Sequence, residues 1–564
     1  METDRWLKSS RLVYELPKAD FKAKYRSADK ATKRSLLHAR FRHDRGAFLR
    51  WCLPAVFDSP WNPYHKAVLE REKQHWSRHT HTVKALNLAP RGVGKSTLKK
   101  GDVAHSICYG LRRFIVIVSG TGKDSKGWAK TVKQWFGKRS DVNKVLWDLY
   151  GPFKVTGTKQ RYTIECPAGT TTLLCASTGT SLQGENEETH RPDELILDDW
   201  ENRKNVKNAT IRDEWQIKLN AEWLKLGDRM RGLQVEANVT VNHPDQPSQR
   251  IREGKEPNVG WTVNEFPALY RWPDNLELWA KCQRVFTDLR LGDPETRMAC
   301  AEAFYLARKA AMDKGAEVLD PHAQPLFKLF TILWAEGRVA FYRELLHIIR
   351  VPGDRLFDSN TFARCTVETD KVTGELTVVT SKGARILLSD MVSRIARWDH
   401  AKGVPGGDYA ALAVLLRDRW GFAYVVDCFH ARAPTSKQIE AAWRLAEKWG
   451  LSSISLESDG GQYLVDEIWV PQMEKRRLAK QFYQCTLTLS PARGNKEDRL
   501  ATMEPVTSSS LIEFGAHLPP LVFQSYDDFD GEPNSHHDDG PDAIQGAYAR
   551  SGGMPPMMSD TRIR

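Results

Sequence analysis

The sequence has no uninterrupted apolar run of the roughly 20 residues that a bilayer-spanning helix needs. It also lacks the charged-then-apolar opening of a secretory signal, so no membrane partner is expected. Its nine cysteines include no CxxC pair, which removes a zinc ribbon and a disulfide framework and makes a reducing cytoplasm the expected compartment. No internal repeat is visible. Even the one obvious phosphate-loop string lacks its customary first glycine, with Ala89 in that place.

What is present is a chain of 564 residues, too long for one ordinary core, with the 41% apolar and 27% charged content of a globular protein. The net charge of +12 favours a polyanionic partner. The excess is uneven: residues 1–50 hold fourteen Lys and Arg against six Asp and Glu. That segment reads as a solvated helical face, a docking arm or a DNA contact. The nineteen Trp are assigned to cores and domain seams rather than to a site.

Residues 1–55 read as basic helices. From Thr82 apolar bursts alternate with helical stretches, the pattern of a parallel sheet with crossover helices. Strands are expected at Val83 to Leu88, Phe114 to Ser119, Glu194 to Asp199 and Leu233 to Val241, with a helix from about Lys126 to Phe136. Residues 270–350 look helical, and the chain breaks around Pro352-Gly353-Asp354. The expected plan is a basic segment (1–55), a nucleotide-binding α/β domain (56–355), a linker or hairpin (356–390), a second domain (391–551) and a disordered tail (552–564).

Two stretches carry chemistry. Ala89-Pro90-Arg91-Gly92-Val93-Gly94-Lys95-Ser96-Thr97 follows a strand and precedes a helix, so its backbone N–H groups can cradle phosphates at a helix N-terminus. Lys95 would reach the terminal phosphates and Ser96 would ligate magnesium. The apolar strand Leu195-Ile196-Leu197 ends in Asp198 and Asp199. Asp198 is expected at the metal's water shell and Asp199 at the attacking water, with Glu201 a rival for the latter. Arg91 is a charge stabiliser or a structural ion-pair residue.

The second stretch is a set of acids. Asp399 ends a strand that a Gly-rich turn joins to Tyr409–Leu415, followed by Phe422–Cys428, and Glu457 ends the later strand from Ser453. In His537-Asp538-Asp539-Gly540-Pro541-Asp542, the i, i+3 spacing puts Asp539 and Asp542 on one face of a helix start. Carboxylates gathered this way repel one another unless divalent cations lie between them, so the set points to metal-dependent phosphodiester chemistry. Taken singly, Asp539 is also a plausible helix cap and Glu457 an exposed strand end. Order and strand placement match a ribonuclease H-like fold.

With these pieces the chain resembles the large terminase subunits of tailed bacteriophages, over about residues 55 to 550. It looks nearest to those of short-tailed phages related to the T-odd coliphages. The resemblance rests on Arg91 to Ser96, Leu195 to Asp199, Phe266-Pro267-Ala268-Leu269-Tyr270, Arg493-Gly494-Asn495-Lys496 with Glu504-Pro505-Val506, and His537 to Ala543. It implies an N-terminal P-loop ATPase and a C-terminal RNase H-like nuclease, which thread double-stranded DNA through a portal into a procapsid and cut the concatemer. ATP with magnesium is implied for the motor, and magnesium or manganese for the nuclease. A small terminase subunit, the portal protein and a homo-oligomeric ring are the implied partners, and the host cytoplasm with transient docking on the procapsid is the implied location.

Carried over, Arg91, Gly92, Val93, Gly94, Lys95, Ser96, Thr97 and Asp198 would hold ATP, with Ser96 and Asp198 at the magnesium and Asp199 catalytic. Asp399, Glu457 and Asp539 would be the nuclease centre, two-metal in type, with Asp542 or Asp538 as a further ligand. Two departures stand out: Asp199 replaces the family's glutamate, and Asn242-His243-Pro244 stands where Gly-Thr-Pro often couples hydrolysis to movement. The alternatives are a helicase- or transposition-type ATPase fused to a nuclease, and a non-catalytic docking scaffold.

Overall fold

The computed structural model describes residues 13, 16–74, 82–158, 160–185, 190–202, 205–227, 232–254, 258–349, 355–401, 407–457, 463–479, 484–491, 496–529 and 538–552. His537, Arg493 to Asn495 and the tail residues 553–564 lie outside them. No helix of the described residues is long and apolar enough to cross a membrane. The chain divides into two compact units. One comprises Met1–Trp272, Ala316–Leu326 and Tyr342–Ile349; the other comprises Pro273–Gly315, Phe327–Phe341 and Arg350–Arg564.

The strands of the first unit are β1 (Val83–Leu88), β2 (Phe114–Ser119), β3 (Lys154–Thr158), β4 (Arg161–Cys166), β5 (Gly169–Ser177), β6 (Glu194–Asp198), β7 (Gln234–Val239) and β8 (Trp261–Glu265). They form one sheet in the order β3-β4-β5-β2-β6-β7-β1-β8. From β5 to β8 every pairing is parallel, and β3-β4-β5 adds an antiparallel edge. β2 is buried at all six positions, as a central strand covered by helices on both faces must be. That double burial explains why β2 was legible as an almost unbroken apolar run with the observed ends. Two short strands, β9 (Leu269–Arg271) and β10 (Glu317–Val318), pair separately.

Helices Lys18–Ser27, Lys30–His43, Arg45–Cys52 and Pro63–Gln74 precede the sheet. Their Phe41, Phe48 and Leu49 share a core with Leu98, Ile107 and Ile115. The approach is close at Gly101, where an added Cβ would lie 2.5 Å from Leu49 Cδ2 and 2.7 Å from Phe57 Cζ. Beneath the phosphate loop lies a buried charge cluster. Lys99 Nζ is 2.9 Å from Asp102, 2.9 Å from Glu194 and 3.0 Å from Glu236. Arg45 pairs with Asp102, and Arg71 reaches Glu236 at 3.3 Å. Each buried carboxylate therefore has a cation, without which its desolvation would cost several kcal/mol.

The second unit continues with β11 (Arg364–Thr369), β12 (Leu376–Val379), β13 (Arg385–Leu387), β14 (Ser393–Asp399), β15 (Ala410–Arg417), β16 (Ala423–Ala431), β17 (Ser453–Glu457), β18 (Thr486–Ser490) and β19 (Ile512–Gly515). β14, β15 and β16 are an antiparallel meander; β17 pairs parallel to β14, and β18 parallel to β17. This β16-β15-β14-β17-β18 order is the RNase H-like plan, extended past β16 by β19, β11, β12 and β13. The two-residue period of β15 feeds two cores at once. Ala411, Ala413 and Leu415 pack with Ala543, Ile544 and Ala547 of the helix Asp539–Arg550. Leu412, Val414 and Leu416 pack with Ala442, Trp443 and Ala446 of the helix Thr435–Trp449.

Candidate functional sites

In the first unit, β1 runs into a loop whose Gly92 and Gly94 both take φ of 82°. Gly94 caps the helix Lys95–Cys108, so the turn needs residues without a side-chain penalty at positive φ. The loop borders a cavity of about 590 Å³ that also meets Asp198, Asp199, Thr240 and Asn242. Lys95 is buried, with its ammonium on Ala89 O (2.6 Å), Pro90 O (3.3 Å) and Thr240 Oγ1 (2.7 Å). Its nearest carboxylate contact is Asp199 at 3.8 Å. Burial holds the Lys95 pKa below the usual range, against the pull of Asp199 and Asp198.

Ser96 Oγ donates to Asp198 Oδ1 at 2.8 Å, and Trp128 Nε1 donates to Asp198 Oδ2 at 2.9 Å. Burial, and then the charge of Asp199, raise the Asp198 carboxyl to about 6. A buried carboxyl beside a hydroxyl at the start of the loop helix fits a bound magnesium, which would relieve that cost. Val93 is buried, while Thr97 is exposed and borders the cavity.

The structure separates the two rival acids. Asp199 sits at φ 43° with its side chain 52% exposed beside Thr240. Glu201 is buried with both oxygens engaged: Oε2 accepts from Gln246 Nε2 and Oε1 from Ser248 N, each at 2.7 Å. Burial lifts its carboxyl to about 7. The same Gln246 accepts through Oε1 from Asn242 N and His243 N, each at 2.8 Å. Both acids border the cavity, but Glu201 braces the segment after β7 while the Asp199 side chain is half exposed. Arg91 pairs with Glu344 at 3.5 Å and is also a wall of the cavity, which is compatible with both of its readings.

Two contacts clasp the phosphate loop from outside. His65 Nε2 lies 2.7 Å from Val93 O, and Gln324 Nε2 donates to Arg91 O at 2.6 Å. Asn62 and Asp320 join the two supports through a 2.8 Å hydrogen bond.

In the second unit, β14 and β17 are parallel neighbours, so Asp399 and Glu457 emerge at the same edge. The helix Asp539–Arg550 brings its first turn to that edge. Asp399, Glu457 and Asp542 each offer an oxygen, and the three oxygens lie within 4.8 Å of one another. Asp539 is not of this trio; its Oδ2 accepts from Tyr409 N at 3.2 Å and its Oδ1 lies 3.7 Å from Lys496. Burial, then the charges of Asp539 and Glu457, push the Asp399 carboxyl up to about 8. Asp542 rises to about 6, with burial the largest cause. Three oxygens held this close at such a cost fit a divalent ion.

Several partners escaped the sequence reading. Arg397 pairs with Glu457 at 3.1 Å and Arg499 with Asp542 at 3.1 Å. Arg397 was within reach of inspection: it stands two residues before Asp399 in one strand and so shares its face. Arg499, Trp128 and Thr240 carry no local signal, because what they touch lies tens of residues away.

Fold and sites together define a class: a P-loop-type α/β unit and an RNase H-like unit with a carboxylate trio that could hold a metal ion, on one chain. No protein-family model matches the sequence, and no curated protein matches it. Among solved structures it is similar to the large terminase of a thermophilic bacteriophage, at 9% identity and TM-score 0.40, over 87% of this chain and 99% of that one. It is similar to the HK97 bacteriophage large terminase at 13% identity and TM-score 0.32, over 90% and 99%. The Thermus phage P74-26 large terminase nuclease domain matches 36% of this chain and 97% of its own, at 15% identity and TM-score 0.22.

Proposed function

We propose that the chain is a phage terminase large subunit: an ATP-driven motor that moves double-stranded DNA through the portal into the procapsid, and a metal-dependent endonuclease that cuts the concatemer. The observation that carries the reading is the pairing of Ser96 with Asp198 at a phosphate loop and a 4.8 Å carboxylate trio on an RNase H-like sheet, within one chain. The short-tailed, T-odd-like affiliation rests on the sequence motifs alone.

In the motor, magnesium bound at Ser96 and Asp198 would neutralise phosphate charge. Lys95 exchanges its loop carbonyls for terminal phosphate oxygens, and the loop N–H groups receive the rest. Asp199 orients the attacking water from the open side of the cavity, while Glu201 and Gln246 keep Asn242 and His243 in register with the site. In the nuclease, the divalent ion held by Asp399, Glu457 and Asp542 would supply the Lewis acid. Arg397 fixes Glu457, and Arg499 fixes Asp542. DNA is gripped through its phosphates, so binding weakens as salt rises. The small subunit, portal and ring partners and the host-cytoplasmic location are part of the same proposal.

The experiment is a pair of variants. Lys95→Ala should abolish ATP hydrolysis and packaging yet still nick plasmid in manganese. Asp399→Ala should abolish nicking and keep ATP hydrolysis. Plasmid cleavage that survives both Asp399→Ala and Glu457→Ala refutes the nuclease assignment. A wild-type chain with neither activity makes it a scaffold.

A further inference from the structure

Two peptide units of the phosphate loop, Arg91–Gly92 and Val93–Gly94, end in a glycine at φ 82°. A residue without a side chain turns at little cost, so these units have the least stiffness of their own. Both have their carbonyl held from outside the loop. Gln324 Nε2 donates to Arg91 O at 2.6 Å, and His65 Nε2 donates to Val93 O at 2.7 Å. The imidazole is set up for this: Asn62 N donates to its Nδ1 at 3.4 Å, which leaves the ring proton on Nε2. Burial keeps the ring's pKa below the usual range, against the pull of Val93 O and Asp320, and so favours that neutral form.

The two holders belong to one frame. Asn62 Oδ1 accepts from His65 N at 2.9 Å, and Asn62 Nδ2 donates to Asp320 Oδ2 at 2.8 Å. Asp320 O in turn accepts from Gln324 N at 2.8 Å. Asn62, Asp320 and Gln324 are all more than nine-tenths buried, which makes the frame rigid.

Both loop peptides are trans, so each N–H points opposite to its carbonyl. With Arg91 O and Val93 O turned to their holders, the N–H groups of Gly92 and Gly94 are turned away from them. Gly92 and Gly94 border the cavity of about 590 Å³, and His65 and Gln324 do not. The fit is tight. An added Cβ on Gly94 would lie 3.3 Å from His65 Nε2, and one on Gly92 would lie 3.2 Å from Gln324 Nε2.

We infer that His65 and Gln324 are positioning residues for the nucleotide's phosphates, holding two glycine peptides so that the Gly92 and Gly94 N–H groups face the cavity before the anion arrives. This rests on the ATPase reading above. Neither side chain touches the nucleotide. Their effect is preorganisation: without them the ligand has to order two free peptides, at the expense of affinity.

The test measures anion affinity on the full chain by titration calorimetry in magnesium, with a melting curve for each protein. The ligands are inorganic tripolyphosphate and the β,γ-imido analogue of ATP. Binding that Lys95→Ala abolishes is counted as binding at the loop. His65→Phe keeps a ring and Gln324→Met keeps the length, but both remove the donor; His65→Gln restores one. His65→Phe and Gln324→Met should each bind both ligands about tenfold more weakly, the scale of one hydrogen bond to a charged group. His65→Gln should recover most of that affinity. Unchanged tripolyphosphate affinity in either donor-less variant overturns the proposal, and so does His65→Gln binding no better than His65→Phe. A loss confined to the ATP analogue also overturns it, since the contact would then lie on the base or sugar. If His65→Phe does not fold, Gln324→Met decides alone. A wild type that binds neither ligand through Lys95 removes the ATPase reading itself, and the positioning role with it.

Discussion

Replacing Asp399 with Asn should make the metal-free protein more stable while destroying the nuclease. The carboxyl of Asp399 stands at about 8 in the fold, against an ordinary value of 3.8. A carboxyl whose folded pKa lies above its unfolded one favours the fold when protonated. Its cost is absent below about pH 4, grows as pH rises through that window and is complete above about pH 8. A tenfold change in proton affinity is worth about 1.4 kcal/mol, which bounds the cost at about 4 kcal/mol at pH 7, and water entry with movement of Arg397 and Lys496 should bring it to about 1–3. Asn keeps the shape and drops the charge. In EDTA, urea or thermal unfolding should therefore find Asp399→Asn more stable by about 1–3 kcal/mol near pH 7.5 and equal to the wild type near pH 4. Magnesium should raise the wild type towards the variant and leave the variant unmoved. A variant that is less stable than the wild type at pH 7.5, or whose advantage does not change with pH, would show that Asp399 carries no such burden.

Three other outcomes follow from the first unit. Asp199→Asn should cut ATP hydrolysis about 100-fold with a nearly unchanged melting curve, since its side chain is half exposed and held by two long contacts, from Thr240 at 3.4 Å and Lys95 at 3.8 Å. Glu201→Gln should instead lower stability by about 1–3 kcal/mol at pH 4.5, because one of two buried donors loses its acceptor, and the loss should shrink towards pH 7. As Glu201 stands at about 7 against 4.5, the same change should flatten the decline in that unit's stability between pH 4.5 and 7, read by urea unfolding of the nucleotide-free chain. Gly101→Ala should destabilise by about 1–3 kcal/mol despite the better helix propensity of alanine, because Leu49 and Phe57 occupy the space; calorimetry decides it.

The parts of the fold that were legible in the sequence share a physical cause. β1, β2, β14 and β17 begin and end where expected, each carrying a buried apolar stretch bounded by a turn or an acid. β8 was missed because it is a half-exposed edge strand, Trp261-Thr262-Val263-Asn264-Glu265, with polar residues on both faces. β19 has only four residues and finds its partners β16 and β11 far away in sequence. At the nuclease, spacing placed Asp539 and Asp542 on one helix face but could not rank them. In the fold Asp542 lies in the trio, and Asp539, which also acts on Asp399, contacts Tyr409 N–H and Lys496.

The clasp on the phosphate loop and the charge cluster beneath it bear on where the chain can be cut. A fragment starting at β1, the natural choice for an isolated motor domain, would discard Arg45, His65 and Arg71. It would leave Asp102 and Glu236 buried with Lys99 as their remaining cation among the ion pairs described above, and Val93 O without its imidazole. A fragment ending before residue 316 would release the loop's other support, Gln324. The first compact unit is thus drawn from three stretches of sequence, and any expression boundary has to respect contacts that a motif search never sees.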